Sequence, residues 1–141
     1  MKLVLLLKKD FTRYQLPALL WTLLIFALSS IPNLAGPDLG FRMQDKFYHF
    51  TFYGFYGILL ALAFYNQNRF PALRRYFLVF TILFGMIYGL SDEIHQYFVP
   101  GRQMDFFDLL ADSSGVAFGA VIFHLRYHIK RVMNFSQMIL R

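Results

Sequence analysis

Two stretches decide the fold of this chain: YFLVFTILFGMIYGLSDEIHQYFV (residues 76–99) and FFDLLADSSGVAFGAVIFHL (residues 106–125). Each is apolar enough to cross a bilayer, whose hydrocarbon core of about 30 Å needs roughly 20 apolar residues in a helix. Each also carries carboxylates towards one of its ends. A carboxylate close to hydrocarbon is costly and usually marks a site or a buried polar network.

Two further apolar segments precede this pair, at residues 16–31 and 47–65. The 141-residue chain is 57% apolar, 20% aromatic and only 16% charged. A soluble domain of this length would struggle to bury so many apolar side chains, because small domains have high surface-to-volume ratios. The sequence therefore predicts an all-α polytopic membrane protein, in which residues 1–141 form a single domain with a bundle of four transmembrane helices.

A signal peptide is the alternative interpretation of the first segment. Lys8, Lys9 and Arg13 would supply its charged region. We favour a transmembrane helix, because no clear small-residue cleavage pattern follows and removal of the segment would leave three spans.

Basic residues are concentrated near both ends of the chain and in the connector between the second and third segments. They are Lys2, Lys8, Lys9, Arg13, Arg69, Arg74, Arg75, Arg126, Lys130, Arg131 and Arg141. Positive charge is retained on the cytoplasmic side of membrane proteins, so both termini are predicted to be cytoplasmic. The net charge of +6 is spread over these separate clusters, and we therefore expect no nucleic-acid partner.

This orientation places six of the eight acidic residues in one layer near the extracytoplasmic face. The six are Asp45, Asp92, Glu93, Asp105, Asp108 and Asp112. At about 100° per residue, the three aspartates of the last segment share a helical arc that Gly115 and Gly119 continue. Gly85 and Gly89 similarly continue the face of Asp92. Gly-x-x-x-Gly spacing is typical of closely packed helices, so the carboxylates are predicted to point into the bundle.

The acidic layer and its polar neighbours are predicted to form a binding pocket. Its members are Asp45, Lys46, His49, Asp92, Glu93, Gln96, Arg102, Asp105, Asp108 and Asp112. A lipid or envelope-precursor headgroup would place phosphate beside Arg102, Lys46 and Arg42, and amines or hydroxyls beside the carboxylates. Arg102 follows Pro100-Gly101, so a tight turn is expected to direct it over the pocket.

Three other roles remain open for these residues. The carboxylates and His49 could bind a divalent cation such as Mg²⁺ or Ca²⁺. In a membrane-embedded hydrolase or transferase, Glu93 would be the general acid or base and His49 its partner, and Arg102 would hold a phosphate. Finally, the polar residues could only tie helices together, for example by pairing Asp92 with Arg102.

Three motifs in this chain resemble those of VanZ-like proteins. They are Asp45-Lys46-x-x-His49-Phe50-x-x-Tyr53, Asp92-Glu93-x-x-Gln96-x-Phe98-x-Pro100-Gly101-Arg102, and Asp108-Leu109-Leu110-Ala111 followed by Gly115 and Gly119. The ending Ser29-Ser30-x-Pro32 of the first segment also fits, so the resemblance covers residues 16–125. The family usually has Asn at the position of Asp112, which leaves the role of this carboxylate open.

The resemblance implies a small multi-pass protein of the cell membrane. The namesake of the family is associated with resistance to teicoplanin, a glycopeptide that acts on the outer side of that membrane. Membrane lipids or a lipid-linked envelope precursor are therefore the expected partners of an outward-facing pocket. The resemblance implies no agreed catalytic residues, and it leaves open whether the protein is an enzyme.

Overall fold

The computed structural model describes the backbone of residues 10–139 and, beyond residue 129, the side chain of Met133 alone. Helices make up 78% of the structure, and no strand occurs between residues 10 and 139. The predicted all-α fold is confirmed. The basic residues Lys2, Lys8, Lys9 and Arg141, and the side chains of Lys130 and Arg131, lie outside the described part of the chain.

Five α-helices follow one another in the described residues. They are α1 (Leu16–Ser29), α2 (Gln44–Asn66), α3 (Pro71–Arg75), α4 (Phe77–Tyr97) and α5 (Phe106–Ile139). A π-helical turn, Phe11–Gln15, leads directly into α1. By length and composition, four segments are able to cross a membrane: Phe11–Ser29, Gln44–Asn66, Phe77–Tyr97 and Phe106–Ile129. The predicted number of spans is thus confirmed, whereas α5 continues well beyond the predicted end at residue 125 because no Gly or Pro interrupts it there.

The long helices alternate in direction along the chain. Gly85 of α4 lies against Val116 of α5. One turn later in α4, Gly89 lies against Asp112, one turn earlier in α5, so these two helices are antiparallel. Both glycines are buried, as their predicted position on the inner face requires.

Helices α2 and α5 run in the same direction and approach each other until backbone meets backbone. A Cβ atom added to Gly115 would lie 2.4 Å from the carbonyl oxygen of Phe50. One added to Gly119 would lie 2.0 Å from the carbonyl oxygen of Gly54. Any side chain would push the helices apart, which confirms the predicted role of these two glycines. The matching glycines of α2, Gly54 and Gly57, lack the four-residue spacing and are not singled out by the sequence pattern.

Hydrogen bonds between α1 and its neighbours join the remaining sides of the bundle. The hydroxyls of Thr22 and Tyr56 lie 3.0 Å apart, and the Tyr88 hydroxyl donates to the Thr22 carbonyl oxygen at 2.7 Å. The Trp21 indole donates to the Phe52 carbonyl oxygen at 3.0 Å. Such bonds matter in a bilayer because no water is present there to satisfy polar groups.

Replacing Gly119 by alanine tests the contact between α2 and α5. The added methyl group has no space, so the free energy of unfolding should fall by about 1–3 kcal/mol. Thermal unfolding in detergent, followed by circular dichroism, measures the change.

Gly54→Ala is the matched control for this substitution. A Cβ atom there meets nothing closer than the Gly115 carbonyl oxygen at 3.7 Å. Because alanine favours helix over glycine, this variant should be neutral or slightly stabilised. Equal destabilisation of Gly54→Ala and Gly119→Ala would contradict the proposed packing.

Candidate functional site

All six predicted carboxylates lie at one end of the bundle, where α1 and α4 finish and α2 and α5 begin; we call it the acidic end. Asp92, Glu93, Asp108 and Asp112 are buried there. The side chains of Asp45 and Asp105 remain 57% and 38% exposed, respectively. The expectation that all six point into the bundle is therefore wrong for these two, which stand at or just before the first turn of a helix and form the rim of the site.

Lys46 is enclosed by three carboxylates, an arrangement that we call the lysine cage. Its Nζ atom lies 2.7 Å from Asp45 Oδ2, 2.6 Å from Asp105 Oδ2 and 2.8 Å from Asp108 Oδ1. An ammonium group has three protons to donate, and all three are engaged here. Lys46 thus occupies the space between these carboxylates, where a metal ion could otherwise bind. This arrangement differs from the expectation that Lys46 would hold a phosphate.

Asp105 connects the lysine cage to the start of α5 and to α4. Its Oδ1 atom accepts the backbone N–H of Phe107 at 2.8 Å, which caps the helix. Its own backbone N–H donates to Glu93 Oε2 at 2.9 Å. The Lys46 ammonium, together with the Phe107 N–H, lowers the pKa of Asp105 below its ordinary value, because both favour the ionised carboxylate.

A second group consists of His49, Glu93 and Asp112, and we call it the histidine triad. His49 Nδ1 lies 2.9 Å from Asp112 Oδ1 and 4.0 Å from Glu93 Oε1. On the other side of the ring, His49 Nε2 lies 3.9 Å from Asp108 Oδ2. The three side chains come from α2, α4 and α5, so only the assembled bundle creates the group.

Two carboxylate oxygens of the triad are buried and have no hydrogen-bond partner in the described structure. Glu93 Oε1 and Asp112 Oδ2 have no hydrogen-bond partner among the described residues, and both side chains are fully buried. Gly89 makes room for one of them, since a Cβ atom at this position would lie 3.2 Å from Asp112 Cβ. Buried polar atoms are nearly always hydrogen-bonded, so a missing partner points to an additional bound group.

A cavity of about 640 Å³ opens beside the triad, between α1, α2, the end of α4 and the two loops at the acidic end. Six of the ten predicted pocket residues line it: Asp45, His49, Asp92, Gln96, Arg102 and Asp108. The other four, Lys46, Glu93, Asp105 and Asp112, lie outside its lining. The rest of the lining is largely apolar and includes Ile25, Leu28, Leu34 and Phe52.

A chain of hydrogen bonds holds the Arg102 side chain at the cavity. The preceding Gly101 has a φ of +76°, a conformation that favours glycine and turns the chain. Arg102 then donates through Nη2 to Gln96 Oε1 and through Nη1 to the Leu34 carbonyl oxygen. Gln96 Nε2 donates in turn to Asp92 Oδ2 at 3.1 Å. Gln96 therefore stands between Asp92 and Arg102, whose direct pairing was the example given for a purely structural role.

The loop between α1 and α2 closes one side of the cavity with contacts that sequence patterns do not single out. The Tyr48 hydroxyl donates to the Pro37 carbonyl oxygen at 2.6 Å, and a Cβ atom on Gly36 would lie 2.4 Å from the Tyr48 ring. At the end of α1, Ser30 Oγ lies 2.9 Å from His95 Nε2. The Ser29-Ser30 ending was the only sequence signal near this contact.

Negative charge exceeds positive charge at the acidic end. Six carboxylates face two permanently charged side chains of the described structure, Lys46 and Arg102. Arg42 is exposed in the first loop and lies outside the cavity lining. Burying unpaired charge is strongly unfavourable, so the layer needs protons or a bound cation to balance it.

Replacing Lys46 by glutamine tests the lysine cage. The Asp105 carboxylate, whose pKa is lowered by Lys46, contributes stability above its ordinary pKa of 3.8 and loses that contribution as pH falls through its lower folded value. Lys46→Gln should therefore lower the melting temperature markedly at pH 7, where three carboxylates would face each other, and much less at pH 3. Thermal unfolding at both pH values measures the difference.

Lys46→Arg is the control, because it keeps the positive charge beside the carboxylates. It should retain more of the stability at pH 7 than Lys46→Gln does. A loss for Lys46→Gln that is the same at pH 3 and pH 7 would contradict an electrostatic role of the cage.

Comparison with known proteins identifies the family of this chain. No curated protein and no solved structure matches it. The model of the family described as VanZ/LLP1 matches residues 5–127, a range that includes all four apolar spans up to Tyr127 and both the lysine cage and the histidine triad. The resemblance noted in the three sequence motifs is thereby confirmed, and the chain belongs to the VanZ/LLP1 family.

Proposed function

We propose that the protein binds a membrane lipid or a lipid-linked envelope precursor, with the headgroup in the cavity at the acidic end. The observation that carries this proposal is the mixed lining of the cavity. Apolar side chains supply a large part of it, and carboxylates, an imidazole, an amide and a guanidinium are also present. Ligand sites typically combine a mostly apolar lining with a few polar groups that orient the ligand.

The apolar part of the lining suits an acyl or prenyl chain. Ile25 and Leu28 of α1 and Phe52 of α2 contribute to it. A chain between α1 and α2 would leave the site directly into the surrounding lipid, because α1 carries its exposed leucines on the outer side of the bundle. An amphiphile therefore fits the cavity better than a fully polar solute.

The polar part of the lining suits a headgroup with a phosphate and with amine or hydroxyl groups. Arg102 uses two of its five N–H donors in the chain of hydrogen bonds described above, which leaves donors for a phosphate oxygen. Asp92 Oδ1 is buried without a hydrogen-bond partner in the described structure, and Asp45 is exposed at the rim. These carboxylates would accept hydrogen bonds from the amine or hydroxyl groups.

The acidic end is proposed to face outward from the cell membrane. Arg69, Arg74 and Arg75 lie between α2 and α4, at the opposite end of the bundle, and Arg126 lies in the far half of α5. Positive charge is retained on the cytoplasmic side, so the cavity would open towards the outer leaflet. A link to teicoplanin resistance is part of this proposal and rests on the family alone.

A membrane-embedded hydrolase or transferase is the second candidate function. The arrangement of the histidine triad favours it, because one nitrogen of His49 faces both buried carboxylates, Glu93 and Asp112, and His49 also lines the cavity. Glu93 would act as general acid or base with His49 as its partner. A protein whose carboxylates only tie helices together would need the lysine cage but not the cavity.

Arg102→Gln tests headgroup binding. Native mass spectrometry of the detergent-purified protein, titrated with phosphatidylethanolamine and separately with diacylglycerol, compares a headgroup with and without phosphate and amine. The wild-type protein should prefer phosphatidylethanolamine, and Arg102→Gln should reduce the preference about tenfold or more, because it removes a charged hydrogen-bond donor.

Arg42→Gln is the matched control, since it removes an arginine outside the cavity and should leave the preference unchanged. Equal binding of both lipids by the wild-type protein would overturn the proposed headgroup site. The same titration distinguishes the two candidate functions: a binder returns the lipid intact, whereas an enzyme releases a cleaved or modified headgroup that depends on Glu93.

Single cysteine substitutions test the proposed orientation. The chain contains no Cys, so no other residue of the protein reacts with a thiol reagent. Leu39→Cys lies in the exposed loop at the acidic end, and Asn68→Cys lies in the exposed connector at the other end. An impermeant thiol reagent added to intact cells should label Leu39→Cys, and should label Asn68→Cys only after lysis. The reverse pattern would place the cavity on the cytoplasmic side.

A further inference from the structure

We propose that the histidine triad, His49, Glu93 and Asp112, binds a divalent first-row transition-metal ion such as Zn²⁺ or Mn²⁺. One atom from each residue belongs to a set whose members all lie within 4.8 Å of one another. Ligand atoms about 2.0–2.2 Å from a shared ion would be separated by roughly 3–4.3 Å, so small side-chain adjustments suffice to bring them onto one ion. The observations that point to this ion do not depend on headgroup binding.

The unpartnered oxygens of the triad are the observation that points to an ion. Glu93 and Asp112 are completely buried, yet Glu93 Oε1 and Asp112 Oδ2 accept no hydrogen bond within the described part of the chain. Glu93 Oε1 faces His49 Nδ1 at 4.0 Å, and Asp112 supplies its other oxygen to the same nitrogen at 2.9 Å. An ion would compensate both carboxylates at once.

Two of the three ligands, Glu93 and His49, also have a neighbour that can orient them, as metal ligands usually do. The backbone N–H of Asp105 fixes Glu93 by donating to Oε2, and Glu93 Oε1 then faces His49. His49 Nε2 faces Asp108 Oδ2 at 3.9 Å, so the ring can present Nδ1 to an ion while Nε2–H points towards a carboxylate. Lys46 in turn holds Asp108 at 2.8 Å. The lysine cage therefore serves as the outer support of the proposed ion site.

A single divalent ion satisfies the charge balance of the triad. Two ionised carboxylates and a neutral imidazole carry a formal charge of −2, which a divalent ion cancels. The group lies in the membrane-spanning part of the chain, where uncompensated charge is costly. In the neighbouring lysine cage the ammonium group already fills the corresponding space.

The donor set indicates which metals to expect. An imidazole nitrogen suits zinc and other first-row transition metals, and carboxylates suit manganese as well, whereas Mg²⁺ and Ca²⁺ prefer oxygen donors throughout. The chain has no cysteine, so no thiolate can take part. His49 also lines the cavity, which places the proposed ion beside the pocket and open to a further ligand from it.

Metal analysis of the full-length protein tests the proposal. Protein purified in detergent without chelator should contain about one equivalent of Zn or Mn by inductively coupled plasma mass spectrometry. After chelation, addition of Zn²⁺ or Mn²⁺ should restore binding and raise the melting temperature. Glu93→Gln and Asp112→Asn should each lower the metal affinity at least about 100-fold, because loss of a ligand costs no less than loss of an outer-shell partner.

Two further variants separate the ion site from its surroundings. Asp92→Asn removes a buried carboxylate next to Glu93 but outside the triad, and it should keep the metal. Asp108→Asn, a positioning residue, should weaken binding roughly 10–100-fold. Arg102→Gln should also keep the metal, so failure of headgroup binding and failure of metal binding can be told apart.

X-ray absorption spectroscopy of the metal-loaded wild-type protein needs no variant and therefore does not depend on how well the substitutions fold. It should show an imidazole nitrogen among oxygen ligands. A purified protein that neither contains nor takes up Zn²⁺ or Mn²⁺, a spectrum without imidazole scattering, or equal affinity of wild type and Asp112→Asn would overturn the proposed site.

Discussion

The backbone contact between α2 and α5 is the constraint on which the rest of the structure depends. The two helices begin at the same end of the bundle, and glycines allow them to touch along their length. This contact sets the first two turns of α2 against the first two turns of α5. Lys46 then meets Asp108, and one turn deeper His49 meets Asp112. A wider separation would pull the cations away from the carboxylates that surround them.

The bundle places carboxylates where the membrane makes them costly, and it compensates them at two levels. At the rim, where solvent can reach Asp45 and Asp105, one lysine donates a hydrogen bond to each of three carboxylates. Inside, the His49 imidazole is the only basic side chain in the described part of the chain within 4 Å of the carboxylates of Glu93 and Asp112. The difference between the levels is physical: a flexible ammonium tolerates a partly wet cage, whereas a dry site holds ionised carboxylates only with a closely bound counter-charge. The inner level is consequently the more informative about function.

His49 links the two parts of the candidate site. One side of its ring faces the buried carboxylates of the triad, and the residue also lines the cavity together with Arg102 and Gln96. The headgroup pocket and the proposed ion site therefore share a wall. A phosphate group in the cavity would be attracted by the Arg102 guanidinium, and also by the triad once the triad carries an ion. The excess of carboxylates would repel the same phosphate without such compensation.

The sequence by itself determined the number of spans, because length and hydropathy are local properties, and it determined the acidic layer, because alternating spans return Asp45, Asp92 and Asp108 to one end. Helical periodicity also indicated that Gly115 and Gly119 face inward. Only the tertiary structure decided that Lys46 uses all three of its N–H donors on carboxylates and that Gln96 separates Asp92 from Arg102. It also decided which oxygens remain without a partner. Periodicity fixes the face of a single helix, but such contacts depend on how far apart helices lie and how each is rotated, and packing across the whole bundle sets both.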